Sequence, residues 1–317
     1  MKNKLRLSER ISKIGGFFKT MAKSENKSDS ISNEKASQEE SIPSVFQRTA
    51  GLLENQARPY GNLSRENYDY YNQVYPQVCI QASVDYRIFD NFRRNPIYNG
   101  VLEHVSEEQG RAYLQIIAND LDILAQMDSF KPNDEYGNPR MCEYPDIGMI
   151  SPTTLRYIKV LADIKAHFQT VDNLNICEIG VGYGGQCRII NAYFKPATYC
   201  LVDMQPVLAL TERYLDNYIL PSVLTYKTMN ELDRREYDLV ISNYAFTELP
   251  RAIQDVYLSK VILNSKRGYI TYNEHSPEKF NSYKSNELLA MIPGSKALSE
   301  EPLTNPKNCI IVWGADD

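Results

Sequence analysis

Between residues 175 and 194 the chain passes from a short apolar run through Glu178, Gly180, Gly182, Gly184 and Gly185 into a segment with Cys187, Ile190 and Phe194 at helical spacing. The run at 175–179 suits a strand buried in a parallel sheet. The glycines after it let the backbone turn sharply and approach a ligand closely. Strand, glycine turn and helix in that order form the ligand-gripping start of a doubly wound α/β fold.

Gly180, Gly182 and Gly185 also satisfy G-x-G-x-x-G, a spacing shared with dinucleotide-binding folds, so the glycines leave the ligand class open. Glu178 separates the two. A carboxylate beside the turn repels a diphosphate and attracts the ammonium and sulfonium charges of S-adenosylmethionine. A second apolar run, 198–202, ends in Asp203, 19 residues beyond Gly184. An acidic residue at that strand tip accepts hydrogen bonds from ribose hydroxyls, a role common to NAD and S-adenosylmethionine folds.

Further strands are expected at 223–227, 237–242, 269–272 and 309–313, with helical patterns between the first five strands of the series. Ser151 followed by Pro152 supplies an N-cap and a first-turn proline for a helix with a stripe of Leu155, Ile158, Leu161, Ile164 and Phe168. A late pair, 295–298 and 309–313, reads as a hairpin, which requires one antiparallel strand at the sheet's edge. The expected fold is α/β: a doubly wound, Rossmann-like, seven-stranded sheet, parallel with one antiparallel edge strand, plus an N-terminal, mostly helical cap.

The segments Glu178-Ile-Gly-Val-Gly-Tyr-Gly-Gly-Gln186, Ser242-Asn-Tyr-Ala-Phe-Thr-Glu248, Gly268-Tyr-Ile-Thr-Tyr-Asn273 and Ser151-Pro-Thr-Thr-Leu-Arg-Tyr-Ile-Lys159 resemble those of the sugar O-methyltransferases, a family of class I S-adenosylmethionine-dependent enzymes. The resemblance covers roughly residues 151–317. It implies methyl transfer to a sugar hydroxyl in glycan or polysaccharide biosynthesis, on a sugar, nucleotide-sugar or glycan acceptor. It also implies that Glu178 and the glycine backbone hold the methionine part, that Met204 or Met229 packs near adenine, and that Asn243 lines the site. Tyr183, Gln186, Arg156 and Tyr157 belong to the same segments and are candidates for substrate contact. For Arg156 the attraction is a bidentate grip on a carboxylate or diphosphate. The residue-level reading leaves two alternatives open: an NAD(P)-dependent oxidoreductase, or a non-catalytic binding module of a glycan assembly complex.

A neutral sugar hydroxyl is a poor nucleophile, so a base is expected to take its proton. Of the three histidines, His275 follows the fifth strand of the cofactor domain, on the crevice side, and is the first candidate; Glu274 and Glu248 are the substitutes. No tight set of Asp, Glu and His has ligand spacing, so no metal is assigned.

The formal net charge is -5 overall, while residues 1–23 carry about +6. An acidic body argues against nucleic acid as substrate. The six cysteines show no C-x-x-C pair and read as reduced packing residues. With no apolar stretch of membrane-spanning length and no secretory leader, the expected location is the cytoplasm. Residues 1–23 form a basic amphipathic pattern suited to peripheral attachment at the membrane inner face or to a protein partner, against the plainer reading of a solvated leader. Residues 24–44 read as a disordered linker. Residues 45–150 are Tyr-rich and helical, a candidate substrate cap, with helical spacing clearest over 111–127 and a loop through Pro132, Gly137, Pro139 and Pro145. Residues 151–317 form the cofactor domain.

Overall fold

The computed structural model describes residues 65–274 and 276–315, with side chains from 73 onward. The basic leader at 1–23, the linker at 24–44 and His275 lie outside the described residues. Six helices come first: α1 (Arg65–Val84), α2 (Tyr86–Phe89), α3 (Pro96–Val101), α4 (Glu107–Ile117), α5 (Leu121–Ala125) and α6 (Met127–Phe130). Their starts are written locally. Asp85, Asn95, Ser106 and Asp120 each accept a first-turn backbone N–H with the side chain, and Ser106 forms a full capping box with Gln109.

The single helical run expected over 111–127 is divided. α4 stops at Ile117, and Asp120 opens α5 by accepting from the Ile123 amide at 3.1 Å while Lys165 Nζ holds its carboxylate at 2.7 and 2.8 Å. Asn119-Asp120 competes for backbone groups that a continuous helix would need. Where a plain loop was expected, a short antiparallel hairpin forms between β1 (Cys142–Tyr144) and β2 (Gly148–Ile150).

The chain then enters α7 (Pro152–Phe168), capped by the Ser151 side chain on the Thr153 amide. The alternating series follows: β3 (Asn175–Ile179), α8 (Gly185–Tyr193), β4 (Thr198–Val202), α9 (Gln205–Leu215), β5 (Val223–Lys227), β6 (Tyr237–Asn243), α10 (Arg251–Lys260), β7 (Ser265–Tyr272), α11 (Ser285–Met291), β8 (Lys296–Ser299) and β9 (Cys309–Trp313). The seven strands lie in the order β5-β4-β3-β6-β7-β9-β8. β3 to β7 are parallel, and β9 runs antiparallel to both of its neighbours at one end of the sheet. This is the expected doubly wound fold. β7 begins at Ser265, four residues before the apolar signal, because Ser265-Lys266-Arg267 is polar yet pairs with β6.

α7 carries more than the one apolar stripe its pattern suggests. It packs against α4 on one side and α8 on another, and even Thr154, Arg156 and Lys159 are buried. The cap is held together from within by Arg93, which is fully buried: Nε and Nη2 donate to the Glu103 carboxylate at 2.6 and 3.2 Å, and Nη1 donates to Asp134 Oδ1 at 3.0 Å. Arg213 Nη1 donates to the Ala82 carbonyl at 2.9 Å, tying α1 to α9.

On the far side of the sheet a core of Cys177, Ile179, Val240, Ile270 and Trp313 packs under Tyr257 and Leu258 of α10. Gly268 pairs with Trp313 across β7 and β9, and a Cβ at this glycine would overlap the indole ring. Gly268→Ala is therefore expected to displace Trp313 and to destabilise the protein by about 1–3 kcal/mol, as overpacking of a close-packed core does. Urea unfolding of the variant, followed by tryptophan fluorescence from the single indole, measures it; an unchanged midpoint contradicts this packing account.

Candidate functional site

β3 delivers Glu178 and then the turn. Glu178 is 2% exposed on the face shared with Tyr199 of β4, whose hydroxyl donates to Glu178 Oε2 at 2.6 Å. Among the described residues no cationic side chain pairs with this carboxyl. Burial pushes its pKa up to about 8, against the pull of the Tyr199 hydroxyl, with the neighbouring Asp203 adding to the rise.

Gly180, Gly182 and Gly184 all have positive φ, at 79°, 54° and 91°. The path closes on itself: the Gly180 amide donates to the Val202 carbonyl at 2.9 Å and the Gly184 amide to the Val181 carbonyl at 2.9 Å. A Cβ at Gly182 would lie 2.6 Å from Leu102 Cδ1, one at Gly185 would lie 2.5 Å from Tyr157 Cε2, and one at Gly180 would collide with the Ala245 side chain. The turn is thus roofed by the cap at Leu102 and flanked by the segment that leaves β6.

Asp203 ends β4 beside the same turn. Its Oδ2 accepts from the Gly182 amide at 3.3 Å and its Oδ1 from the Met204 amide at 2.7 Å. Burial pushes its pKa up to about 6, opposed by the amides of Met204, Gly182 and Val181. Met204 is 48% exposed at the start of α9, an apolar surface next to that carboxyl. Met229 follows β5 and is part-buried against the core that includes Ile179, Val202 and Leu258. The structure therefore brings Glu178, the four glycines, Asp203 and Met204 into one place.

The remaining candidates divide. Asn243, at the end of β6, donates to Gln186 Oε1 at 3.4 Å and accepts from Thr271 Oγ1 at 3.3 Å, while Gln186 Nε2 donates to the Tyr157 carbonyl at 3.1 Å. Gln186 is 1% exposed and serves as a buried link. Tyr183 departs from the substrate role considered for it: it is fully buried, packed edge-on against Phe92, Tyr157 and Tyr214, and its hydroxyl accepts from Asn133 Nδ2. Arg156 and Tyr157 do line a cleft. With Asn243 and Tyr244 they face Tyr113 of α4 and Glu300 of the β8–β9 connection.

Tyr244, Tyr113 and Glu300 carried no role in the sequence reading. Tyr244 lies within a quoted motif, but its position depends on a backbone with φ 66° that turns the chain out of β6. Such a conformation costs about 1–3 kcal/mol in a non-glycine residue and recurs at ligand sites. Its hydroxyl donates to Glu300 Oε1 at 2.5 Å.

The two carboxyl candidates for the base have opposite surroundings. Glu274 faces Lys307 at 2.9 Å and Lys284 at 3.2 Å, and those partners hold it below the usual carboxylate range. Glu248 accepts from Asn273 Nδ2 at 2.7 Å, and burial pushes its pKa up to about 7. Among the described residues no group of three or more His, Cys, Asp and Glu is arranged to hold a metal ion, and no helix is long and apolar enough to cross a membrane.

Family models and curated proteins give no match to the chain. Solved structures do. Magnesium protoporphyrin IX methyltransferase from Synechocystis PCC 6803, with SAH bound, is similar at 12% identity over 50% of this chain and 82% of its own, with a TM-score of 0.39. Mitomycin 7-O-methyltransferase is similar at 12% identity over 50% of this chain and 56% of its own, with a TM-score of 0.37. WbdD is similar at 16% identity over 44% of this chain and 36% of its own, with a TM-score of 0.35. At these scores the likenesses decide nothing about the site, whose reading rests on its own geometry.

That geometry sets a pH dependence. Glu178 has a folded pKa raised above its ordinary 4.5, so the ligand-free protein holds a proton that the unfolded chain releases. Stability is then expected to fall as pH rises from about 4.5 to about 8 and to level off above. A cationic ligand favours the ionised carboxyl, so its affinity rises over the upper part of the same window. Thermal melts and calorimetric titrations with S-adenosylmethionine between pH 6 and 8.5 read both effects. Glu178→Gln should lessen both, leaving in the stability profile the shallower slope due to Asp203 and Glu248, and weaken binding about tenfold or more; a variant as pH-dependent as the parent would remove Glu178 from the site.

Proposed function

We propose that this protein is an S-adenosylmethionine-dependent O-methyltransferase acting on a sugar hydroxyl. The observation that carries the reading is Glu178, a buried carboxyl under a positive-φ glycine turn with a tyrosine hydroxyl and no cation beside it. A diphosphate at that turn would meet two carboxyls, Glu178 and Asp203. An ammonium and a sulfonium would instead balance them.

The residues fit that donor. Glu178 would balance its ammonium, Asp203 would accept from its ribose hydroxyls, and the exposed Met204 would lie along adenine. When bound, S-adenosylmethionine supplies an activated methyl carbon, and the protein's task is to align the acceptor oxygen and remove its proton. Glu248 suits the second part: with a pKa near 7 it is part ionised at neutral pH and strong enough to accept a proton. Glu274, tied to two lysines, is a weaker base.

For the acceptor, the narrow cleft beside Asn243, with a cavity volume of about 20 Å³, would have to widen to admit a sugar ring; it is lined by rings from Tyr113, Tyr157 and Tyr244 and polar groups from Asn243, Arg156 and Glu300. Aromatic faces suit the C–H surfaces of a sugar ring, and the polar groups suit its hydroxyls. That composition and the motif resemblance together favour a sugar.

Incubation of the protein with labelled S-adenosylmethionine and a panel of nucleotide sugars, free sugars and glycans, followed by mass analysis, tests the assignment. Methyl incorporation into a sugar is expected. Stabilisation by NAD with no response to S-adenosylhomocysteine would sink it. Once an acceptor is found, Glu248→Gln should lower kcat by about 10²–10⁴-fold, the usual worth of a general base. It should also abolish the rise in rate through pH 7 while leaving S-adenosylhomocysteine affinity unchanged. Unaltered kcat would exclude Glu248 as the base.

A further inference from the structure

Among the described residues three arginines are buried, Arg93, Arg156 and Arg188, and the first two have opposite surroundings. Arg93 is surrounded by acceptors: Glu103 takes two of its hydrogen bonds and Asp134 a third. Arg156 is 9% exposed; its Nη2 donates to Leu102 O at 3.1 Å, and its guanidinium lies 5.5 Å from the Tyr157 ring centroid and also hydrogen-bonds the Tyr157 side chain. Among the described residues no carboxylate pairs with it. A guanidinium presents five N–H donors and stays charged, so the nitrogens of Arg156 that meet neither Leu102 nor Tyr157 keep a donor capacity unmet by the protein, without being sealed from solvent.

The unmet side faces the cleft. Arg156 lines it between Tyr113 and Tyr244, close to Asn243 at the carboxyl end of β6. The other charges along the walls do not supply the missing partner. Lys159 is paired with Asp163 at 2.7 Å. Both Glu300 oxygens are engaged, Oε1 by the Tyr244 hydroxyl and Oε2 by the Thr304 amide at 2.9 Å and the Thr304 hydroxyl at 2.6 Å. Glu301 is exposed at the rim, where solvent screens it.

We infer that Arg156 is an anion-recognition residue of the acceptor site, and that the acceptor carries a carboxylate or phosphate group on or next to the sugar ring that is methylated. This rests on the methyltransferase reading of the same crevice. It narrows the acceptor from sugars in general to acidic ones. Two oxygens of a carboxylate or phosphate match the guanidinium fork, and the hydroxyls of Tyr113 and Tyr157, on the same cleft, are further donors.

The test uses the full-length chain saturated with S-adenosylhomocysteine, at constant ionic strength. Binding of sodium glucuronate, its methyl ester, glucose 6-phosphate and methyl glucoside is measured by calorimetry. Glucuronate, glucose 6-phosphate or both are expected to bind at least about tenfold more tightly than the neutral probes, the discrimination that charge-assisted hydrogen bonds provide. Preference for one of the two names the anion. Arg156→Gln, which keeps a donor for the Leu102 carbonyl, should bring the anionic probes to the level of the neutral ones without altering the affinity for methyl glucoside.

Equal binding of glucuronate and its methyl ester, with no preference for the phosphate either, overturns the inference, as does the absence of any probe binding. So does a variant that loses the neutral probe in equal measure, since that marks a structural role. If Arg156→Gln does not fold, the comparison of acid with ester in the unaltered protein still decides. The S-adenosylhomocysteine titration stands alone as the check on the methyl-donor reading. Cofactor binding without anion preference removes only this inference, and anion preference without cofactor binding removes only that reading.

Discussion

A carboxyl group enclosed at the end of the central strand, with no cation to pair with, is the constraint from which the site follows. Removing an ionised carboxylate from water without a partner costs several kcal/mol, so the empty protein answers by raising the pKa of Glu178 and meeting it with one tyrosine hydroxyl. Strand order explains why the burden falls there. β3 lies between β4 and β6, the chain leaves it toward one side while the later strands fill the other, and a crevice opens above its carboxyl end. Any ligand in that crevice meets Glu178 below and Asp203 beside it, so the protein's own electrostatics select for positive charge.

Much of this frame was readable because it depends on local signals. The runs at 175–179, 198–202, 223–227 and 309–313 became strands with the expected bounds: β3 and β4 are buried parallel strands that require apolar continuity, while the exposed edge strand β5 and the antiparallel β9 were marked by their β-branched runs. Ser151-Pro152 opened α7 as a capping signal should. What escaped were features set by tertiary contact. The hairpin of β1 and β2 is three residues a side and carries no strand pattern long enough to see. The break between α4 and α5 turns on Asp120 meeting Lys165, 45 residues away.

The same distinction runs through the site. Glu178, the glycines and Asp203 were legible because charge and backbone freedom act where they are written. Tyr183 was not, because nothing in a glycine-flanked tyrosine shows that Asn133 and three other aromatic residues will enclose it. Arg156 is the sharper case. On a helix with one apolar stripe an arginine belongs to solvent, and only the packing of α4 against α7 turns it into a buried charge facing a cleft.

Arg156 also links the two halves of the crevice. Its Nη2 donates to the carbonyl of Leu102, and the Leu102 side chain is the group that closes over Gly182. The next residue, Glu103, is locked to Arg93 in an ion pair with neither side chain more than 1% exposed. Both belong to the cap and hold it in one piece, while Asn133 Nδ2, donating to Thr154 Oγ1 at 2.9 Å and to the Tyr183 hydroxyl at 3.1 Å, ties it to α7 and the glycine turn, so a swing of the whole cap would break those buried bonds. The smaller movements are cheaper: a rotamer change of Leu102, or a shift of the short turn at Ala245–Glu248 that sets Ala245 against Gly180. Access to the glycine turn is therefore governed by the Leu102 and Ala245 side chains on either side of it, while the guanidinium that lines the neighbouring cleft holds the backbone of one of them in place.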